Sequence, residues 1–249
     1  GDRHPLMPRP PVDPRWIQNA SDRLAVEQGC WFDEDAGQLV CDFIETLCCQ
    51  SQDEWAGKPI ELIPWQRDFL MRLFGWKRPN GRRRFRRAYV EIAKKNGKST
   101  LLSALVLYLL LGDNAGGPKI YLNACDRDQA EIIFDETAAM VRQSPELASR
   151  IDEKVNDHSL VWKDGNGVII ANSGVVDSKD GRNASAVIFD ETHRLPDRRL
   201  WNVFKYAGAA RSQPLLISLT TAGEEEDGVW HDQRKYSEDV NAGLIPDTT

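Results

Sequence analysis

The sequence has no hydrophobic run long enough to cross a membrane. Its longest apolar stretch, residues 101–111, is interrupted by Ser103 and falls short of the ~20 residues that a transmembrane helix needs. Residues 1–5, Gly-Asp-Arg-His-Pro, contain no apolar signal region. The sequence therefore predicts neither a membrane-spanning nor a secreted protein.

Cysteines at metal-ligand spacing are also missing. The 249-residue chain has 5 cysteines, and none forms the CxxC pair that is typical of a zinc site. An odd number is a poor basis for a disulfide framework, so a reduced, intracellular protein is predicted.

Positive charge is not in excess. The chain has 32 Lys and Arg against 38 Asp and Glu, a net charge of −6, so a polyanionic partner would have to bind a local basic patch. Hydrophobic residues make up 41% of the sequence, which excludes a disordered chain and predicts a sizeable core.

Strand and helix patterns alternate from residue 85 onwards. The predicted strands are 85–93, 119–124, 184–189 and 215–219, with a hairpin at 160–162 and 168–171. The predicted helices are 98–111, 128–142, 196–207 and 228–240, with a further short helix that starts at 144–146. This alternation predicts an α/β fold with a mostly parallel central sheet and helices on both faces. A helix at 36–50 predicts a helical N-terminal extension, and a second helix, at 64–75, directly precedes the alternating region.

Residues 89–100 have the order strand, loop, Gly-Lys-Ser, apolar helix. Backbone N–H groups at such a helix start can bind a polyphosphate. Lys98 would then reach the β- and γ-phosphates, Ser99 would bind Mg²⁺, and Gly97 would let the backbone approach the phosphates. Because Ile92 stands where the usual motif has its first glycine, an ordinary strand-to-helix loop is the alternative.

A second motif, residues 186–191, is four apolar residues followed by Asp190 and Glu191. Ligands of parallel sheets bind at the carboxyl ends of the strands. Asp190 would hold Mg²⁺ there, and Glu191 would polarise the water that attacks the γ-phosphate. The alternative is a strand end whose acidic residues cap a helix.

These motifs belong to a larger set that occurs in one order along the chain: residues 64–67, 82–87, 94–99, 126–130, 187–193 and 218–223. Together they make residues 64–240 resemble the ATPase domain of the large terminase subunit, the DNA-packaging motor of tailed bacteriophages. The resemblance implies a P-loop NTPase of the ASCE type that uses ATP and Mg²⁺.

The resemblance also implies roles for individual residues. Trp65 and Gln66 would read the adenine, with helix packing as the alternative, and Thr220 and Thr221 would form the coupling motif, with a strand-end turn as the alternative. The remaining implied nucleotide contacts lie in the phosphate loop: Lys94, Lys95, Asn96, Gly97, Lys98, Ser99 and Thr100. Lys94 stands where many terminases have arginine, and lysine lacks the bidentate fork.

A trans-acting arginine finger is implied as well. Arg182 lies just before the acidic strand and is the expected finger, acting with Glu191 and Lys98 in catalysis. A solvent-facing Arg182 is the alternative, and four other arginines are rivals: Arg194, Arg198, Arg199 and Arg211.

The function implied by the resemblance is an ATP-hydrolysing motor that translocates double-stranded DNA into a procapsid. Its implied partners are double-stranded DNA, a portal protein and a small terminase subunit, in a homo-oligomeric ring, a pentamer by resemblance, in the host cytoplasm. The alternatives are a P-loop helicase or other nucleic-acid remodelling ATPase, and a nucleotide-binding assembly module that does not hydrolyse ATP.

Three domain segments are expected: an arm and helical extension over 1–60, a P-loop ATPase domain over 61–243, and the start of a linker at 244–249. Large terminases carry a nuclease domain after such a linker, so no nuclease activity is expected from these residues.

Three further features leave alternatives open. The arginine run at 82–87 could contact DNA phosphates or a neighbouring subunit, or could form a solvated face. His193 could report the state of the γ-phosphate or be structural. The acidic run 224–227 predicts a solvated loop.

Overall fold

The computed structural model describes residues 10–113, 115–124, 127–171, 183–195, 198–221 and 228–249. The helices are α1 (Ala20–Glu27), α2 (Glu34–Leu47), α3 (Pro64–Gly75), α4 (Lys98–Leu111), α5 (Arg127–Gln143), α6 (Pro145–Arg150), α7 (Arg199–Lys205) and α8 (Val229–Asn241). The strands are β1 (Trp31–Phe32), β2 (Trp76–Lys77), β3 (Arg87–Glu91), β4 (Lys119–Asn123), β5 (Ile151–Lys154), β6 (Ser159–Trp162), β7 (Val168–Ala171), β8 (Ala186–Asp190) and β9 (Leu215–Thr220). None of the helices in these ranges is long and apolar enough to cross a bilayer.

The main sheet has seven strands in the order β3-β9-β8-β4-β7-β6-β5. Five neighbouring strands are parallel: β3, β9, β8, β4 and β7. Strands β6 and β5 add an antiparallel edge. The predicted mostly parallel sheet and the predicted hairpin, now β6 and β7, are therefore confirmed. Because β9 lies between β3 and β8, the phosphate loop and the acidic pair follow strands that are one strand apart.

Both faces of the sheet are covered, as predicted. Along β8, Ala186 and Ile188 belong to the core that includes α4, whereas Val187 and Phe189 pack in a second cluster with residues of α7. This division follows from the alternation of side chains along a strand. The larger cluster also contains residues of α2 and α3, so the N-terminal helices share one continuous core with the sheet.

The ends of several elements differ from prediction, and four short elements were not predicted. Helix α2 begins at Glu34 rather than 36, where the Asp33 side chain accepts a hydrogen bond from the Ala36 N–H, and ends at Leu47 rather than 50. Helix α1 has 8 residues, and the strands β1, β2 and β5 have two to four residues each. Periodicity is a weak signal in segments this short.

The structure differs from the prediction for the arginine run at 82–87. Arg83 and Arg84 are 2% and 1% exposed. For these two residues the predicted contact with DNA phosphates or a neighbouring subunit is therefore wrong, and so is the predicted solvated face. Arg83 forms an ion pair with Asp113, and its guanidinium also donates to the carbonyl of Gln213. Strand β3 begins only at Arg87, so the other arginines of the run lie before the strand.

Arg84 connects α1 to the start of β3. Its guanidinium donates to Asp22 at 2.7 Å and to the hydroxyl of Ser21, and it lies over the ring of Trp76. Asp22 also accepts from Arg72 of α3 at 3.0 Å. Burial alone would raise the pKa of Asp22, but the hydrogen bonds from Arg84 and Arg72 outweigh it and hold that pKa below its ordinary value.

We expect Asp22→Asn to destabilise the fold by about 3–5 kcal/mol, because it leaves the buried Arg84 guanidinium without its anion. Urea unfolding of both chains measures the difference. Glu153→Gln, which removes an exposed pair with Arg142, is the matched control and should cost less than about 1 kcal/mol. An equal effect of the two substitutions would contradict this account of the cluster.

Candidate nucleotide-binding and catalytic site

Three strands end at the same edge of the sheet and bring the predicted motifs together. The phosphate loop follows β3, Asp190 ends β8, and Thr220 ends β9. The register aligns Asp190 with Leu219 and Glu91 with Thr220, and the Ile92 N–H donates to the Thr220 carbonyl at 3.0 Å. Residues separated by about 90 positions in sequence thus share one edge.

The phosphate loop turns into α4 through two left-handed residues, Lys95 (φ 65°) and Gly97 (φ 69°). The side-chain amide of Asn96 donates to the carbonyls of Ala93 and Lys94 and so shapes the loop. The first N–H groups of an α-helix have no partner within it, which leaves those of α4 available to phosphate oxygens. Lys94 and Lys95 are exposed on this loop.

Gln66 holds the loop against α3. Its Nε2 donates to the Gly97 carbonyl at 3.2 Å, and its Oε1 accepts from the Ile63 N–H at 3.1 Å. A Cβ on Gly97 would lie 2.9 Å from Gln66 Nε2, so only glycine allows this approach. Both ends of the amide are therefore used within the protein, and Gln66 orders the loop in addition to any contact with a base. Trp65, its neighbour, packs partly buried against the core.

Lys98 joins the two motifs. Its Nζ donates to Glu191 Oε1 and lies 3.2 Å from Asp190 Oδ1. The Lys98 and Asp190 side chains are about 10% and 7% exposed, so this ammonium balances two carboxylates that are partly removed from water. The structure thus brings Lys98, Asp190 and Glu191 to one place.

The backbone of Glu191 adopts the left-handed region, with φ 51°. For a residue with a side chain this conformation costs energy, and such residues cluster at functional sites. It orients the second carboxylate oxygen, Oε2, towards the end of β9. There Oε2 lies 3.4 Å from both the N–H and the hydroxyl of Thr221, and 3.1 Å from His193 Nδ1.

The two carboxylates have opposite pKa shifts. Burial raises the pKa of Asp190 above its ordinary value, and the positive charge of Lys98 offsets this only in part. Burial acts in the same direction on Glu191, but the hydrogen bond and charge of Lys98 outweigh it, so the pKa of Glu191 is lowered. Glu191 therefore stays ionised and able to accept a proton.

Oxygen donors suited to Mg²⁺ are present in this arrangement. Ser99 follows Lys98 at the start of α4, and Asp190 supplies a carboxylate. Mg²⁺ prefers oxygen ligands and usually takes only one or two from the protein, with phosphates and water completing its shell. The Ser99 hydroxyl and the Asp190 carboxylate are two oxygen donors of the kind that Mg²⁺ prefers.

The Thr100 hydroxyl points away from the loop. It donates to Glu136 Oε1 on α5 at 2.6 Å, and the Ser103 hydroxyl lies 3.3 Å from the other oxygen of the same carboxylate. Only the backbone of Thr100 then remains for a phosphate. Glu136 was not predicted from the sequence. The pattern of an amphipathic helix does not distinguish a buried glutamate that contacts α4 from an exposed one.

The structure does not position the expected arginine finger. Arg182 lies outside the described residues. Among its rivals, Arg198 pairs with Asp232, and Arg211 donates to the carbonyls of Asn183, Gly116 and Gly117, near the amino-terminal ends of the strands. Arg211 therefore lies at the other end of the sheet from the site.

The strand order and the site together define a P-loop NTPase of the ASCE type, with β9 between the loop strand and the acidic strand. Residues 64–239 match the family model described as the ATPase domain of the terminase large subunit. The chain belongs to this family.

Individual relatives agree with this assignment. The large terminase subunit of Enterobacteria phage HK97 is 29% identical over 209 residues, covering 82% of this chain and 40% of that protein. The terminase large subunit of Lactococcus phage SK1 is 24% identical over 184 residues, covering 69% and 33%. The crystal structure of the HK97 large terminase aligns with a TM-score of 0.69 and 26% identity, over 83% of this chain and 42% of that one.

The chain thus spans less than half the length of the curated relatives it matches. What it shares with them is the ATPase domain.

We expect Lys98→Met to raise the pKa of Glu191, because the substitution removes the hydrogen bond and the charge that lower it. Carboxyl ¹³C NMR titration of the protein measures this pKa directly. Lys119→Met, at the amino-terminal end of β4, is the control and should leave it unchanged. An unaltered Glu191 titration in Lys98→Met would show that the ion pair does not exist in solution.

Proposed function

We propose that this chain is the ATP-hydrolysing part of a viral genome-packaging motor, which translocates double-stranded DNA into a procapsid. The observation that carries the proposal is the convergence of Lys98 with Asp190 and Glu191 at one sheet edge. Family membership supports the same activity. Mg²⁺ bound with ATP would supply the Lewis acid that neutralises charge on the phosphates.

Each residue of the site would have a different chemical role. Lys98 and the N–H groups at the start of α4 would bind the β- and γ-phosphates, and Ser99 and Asp190 would hold Mg²⁺. Glu191 would polarise the attacking water. The Lys98 ammonium can serve either Glu191 or a phosphate, so a phosphate that takes Lys98 would free one carboxylate oxygen of Glu191 to orient water.

The end of β9 would transmit the state of the site. Thr221 contacts Glu191 through both its N–H and its hydroxyl, and Thr220 is bonded through its carbonyl to the loop after β3. A movement of Glu191 on loss of the γ-phosphate would therefore reach β9 directly. This contact supports the role of Thr220 and Thr221 as a coupling motif.

The other assignments rest on the resemblance. Trp65 and Gln66 would contact the adenine, Lys94, Lys95 and Asn96 would line the phosphates, and Arg182 would act as a finger in the neighbouring subunit. A homo-oligomeric ring, double-stranded DNA, a portal protein and a small terminase subunit would be its partners, in the host cytoplasm. The ATPase unit would occupy residues 61–243.

Two alternatives make different predictions. A helicase would separate the strands of a duplex, whereas a packaging motor moves along it intact, so a strand-displacement assay distinguishes them. An assembly module would bind ATP without hydrolysing it. The ionised Glu191 beside Asp190 favours hydrolysis over the second alternative, because simple binding has no use for a positioned proton acceptor.

We expect Glu191→Gln to lower ATP turnover by about a hundredfold or more, the scale of losing a positioned acid–base group, while ATP affinity stays within about threefold. Phosphate release and the fluorescence of a labelled ATP analogue measure the two quantities. The drop arises because glutamine cannot accept the proton of the attacking water.

Glu238→Gln, on the exposed face of α8, should leave both quantities unchanged. Normal turnover in Glu191→Gln would contradict the catalytic assignment. If the unaltered chain binds ATP tightly but does not hydrolyse it, even at a concentration at which it oligomerises, the result would favour the assembly module instead.

A further inference from the structure

His193 lies between the acidic pair and the end of β9, in a short 3-10 helix, Thr192–Arg194, that follows Glu191. Its Nδ1 is 2.8 Å from Thr220 Oγ1 and 3.1 Å from Glu191 Oε2. One ring nitrogen therefore contacts a residue of each of the two motifs. The side chain is about 20% exposed, so the imidazole is held mainly by the protein.

The hydrogen bonds of the Thr220 hydroxyl favour a proton on this nitrogen. The Thr220 hydroxyl has one proton, which it donates to the Thr221 carbonyl at 2.8 Å. The same oxygen accepts from the His193 backbone N–H at 3.3 Å. Since an ionised Glu191 carboxylate can only accept, neither oxygen beside Nδ1 has a proton to give it. These contacts therefore favour the tautomer in which Nδ1 carries the hydrogen and donates to Thr220 Oγ1.

We propose that His193 is a positioning residue, which ties the Glu191 carboxylate to Thr220 at the end of β9 through its Nδ1–H. The inference rests on the proposed function and deepens it, because it names how the catalytic carboxylate and the coupling motif are held together. The Nδ1 contact to Thr220 Oγ1 is the hydrogen bond, and the same nitrogen lies 3.1 Å from Glu191 Oε2. Lys98 holds Oε1, so a polar group faces each oxygen of the carboxylate.

The imidazole is not needed to anchor the turn itself. The Ser218 hydroxyl donates to Thr192 Oγ1 at 3.1 Å, and the backbone N–H of His193 reaches Thr220 whatever side chain it carries. Removal of the ring should therefore leave the 3-10 helix attached to β9 and loosen only the carboxylate. This separation allows a positioning role to be tested without loss of the fold.

Turnover provides the first test, with His193→Ala and His193→Asn compared with the unmodified chain. Alanine should lower kcat for ATP about tenfold or more, the scale of misplacing a reacting group, with KM within about twofold. Asparagine, whose amide can donate from nearly the position of Nδ1, should restore a substantial part of kcat. His231→Ala, on α8, is the control histidine and should change neither constant.

A rise in KM equal to the fall in kcat, or an asparagine variant no better than alanine, would overturn the proposal. A merely structural histidine would also lower thermal stability in step with activity. Activity lost at unchanged midpoint temperature therefore supports positioning.

The second test needs no turnover. Imidazole ¹⁵N NMR of the unmodified chain should show the Nδ1–H tautomer of neutral His193, and Thr220→Val should shift that resonance while leaving His231 unaltered. An Nε2–H tautomer would overturn the role of His193 alone. Absence of turnover in the unmodified chain with the Nδ1–H tautomer present would instead count against the proposed function, so the two failures are distinguishable.

Discussion

The ion pair of Lys98 with Asp190 and Glu191 is the interaction on which the site depends. Two adjacent carboxylates at the end of a buried strand repel each other and lose hydration, and a single ammonium from another motif offsets both costs. That requirement joins the phosphate loop to β8 across an intervening strand. It also gives the site a cation that phosphate oxygens could compete for, which under the proposed function would connect nucleotide binding to the state of Glu191.

Competition of phosphate oxygens for Lys98 would affect strand β9, which lies between β3 and β8. Strand β9 hydrogen-bonds to β3 on one side and β8 on the other, so its end contacts both motifs. Glu191 leaves the strand direction in a left-handed conformation and turns its carboxylate towards Thr221 rather than continuing β8. Under the proposed function, chemistry at the γ-phosphate would thereby be linked to the position of β9 through contacts of a few side chains.

Local sequence was enough to predict the sheet class, the loop into α4 and the acidic end of β8, because each depends on neighbouring residues. It failed where partners are distant: Arg83 and Arg84 are buried because Asp113 and Asp22 lie across the fold. The contact of His193 with Thr220 depends on the β8–β9 register, and the hold of Gln66 on Gly97 on the packing of α3. No pattern within one segment encodes these pairings.

Under the proposed function, one triphosphate binds where Lys98, Asp190 and Glu191 meet. A crystal structure of the chain with Mg²⁺ and a non-hydrolysable ATP analogue would show this binding. We expect Lys98 Nζ to contact phosphate oxygens instead of Glu191, with Mg²⁺ bound near Ser99 and Asp190. An analogue bound elsewhere, with Lys98 still paired to Glu191, would contradict this expectation.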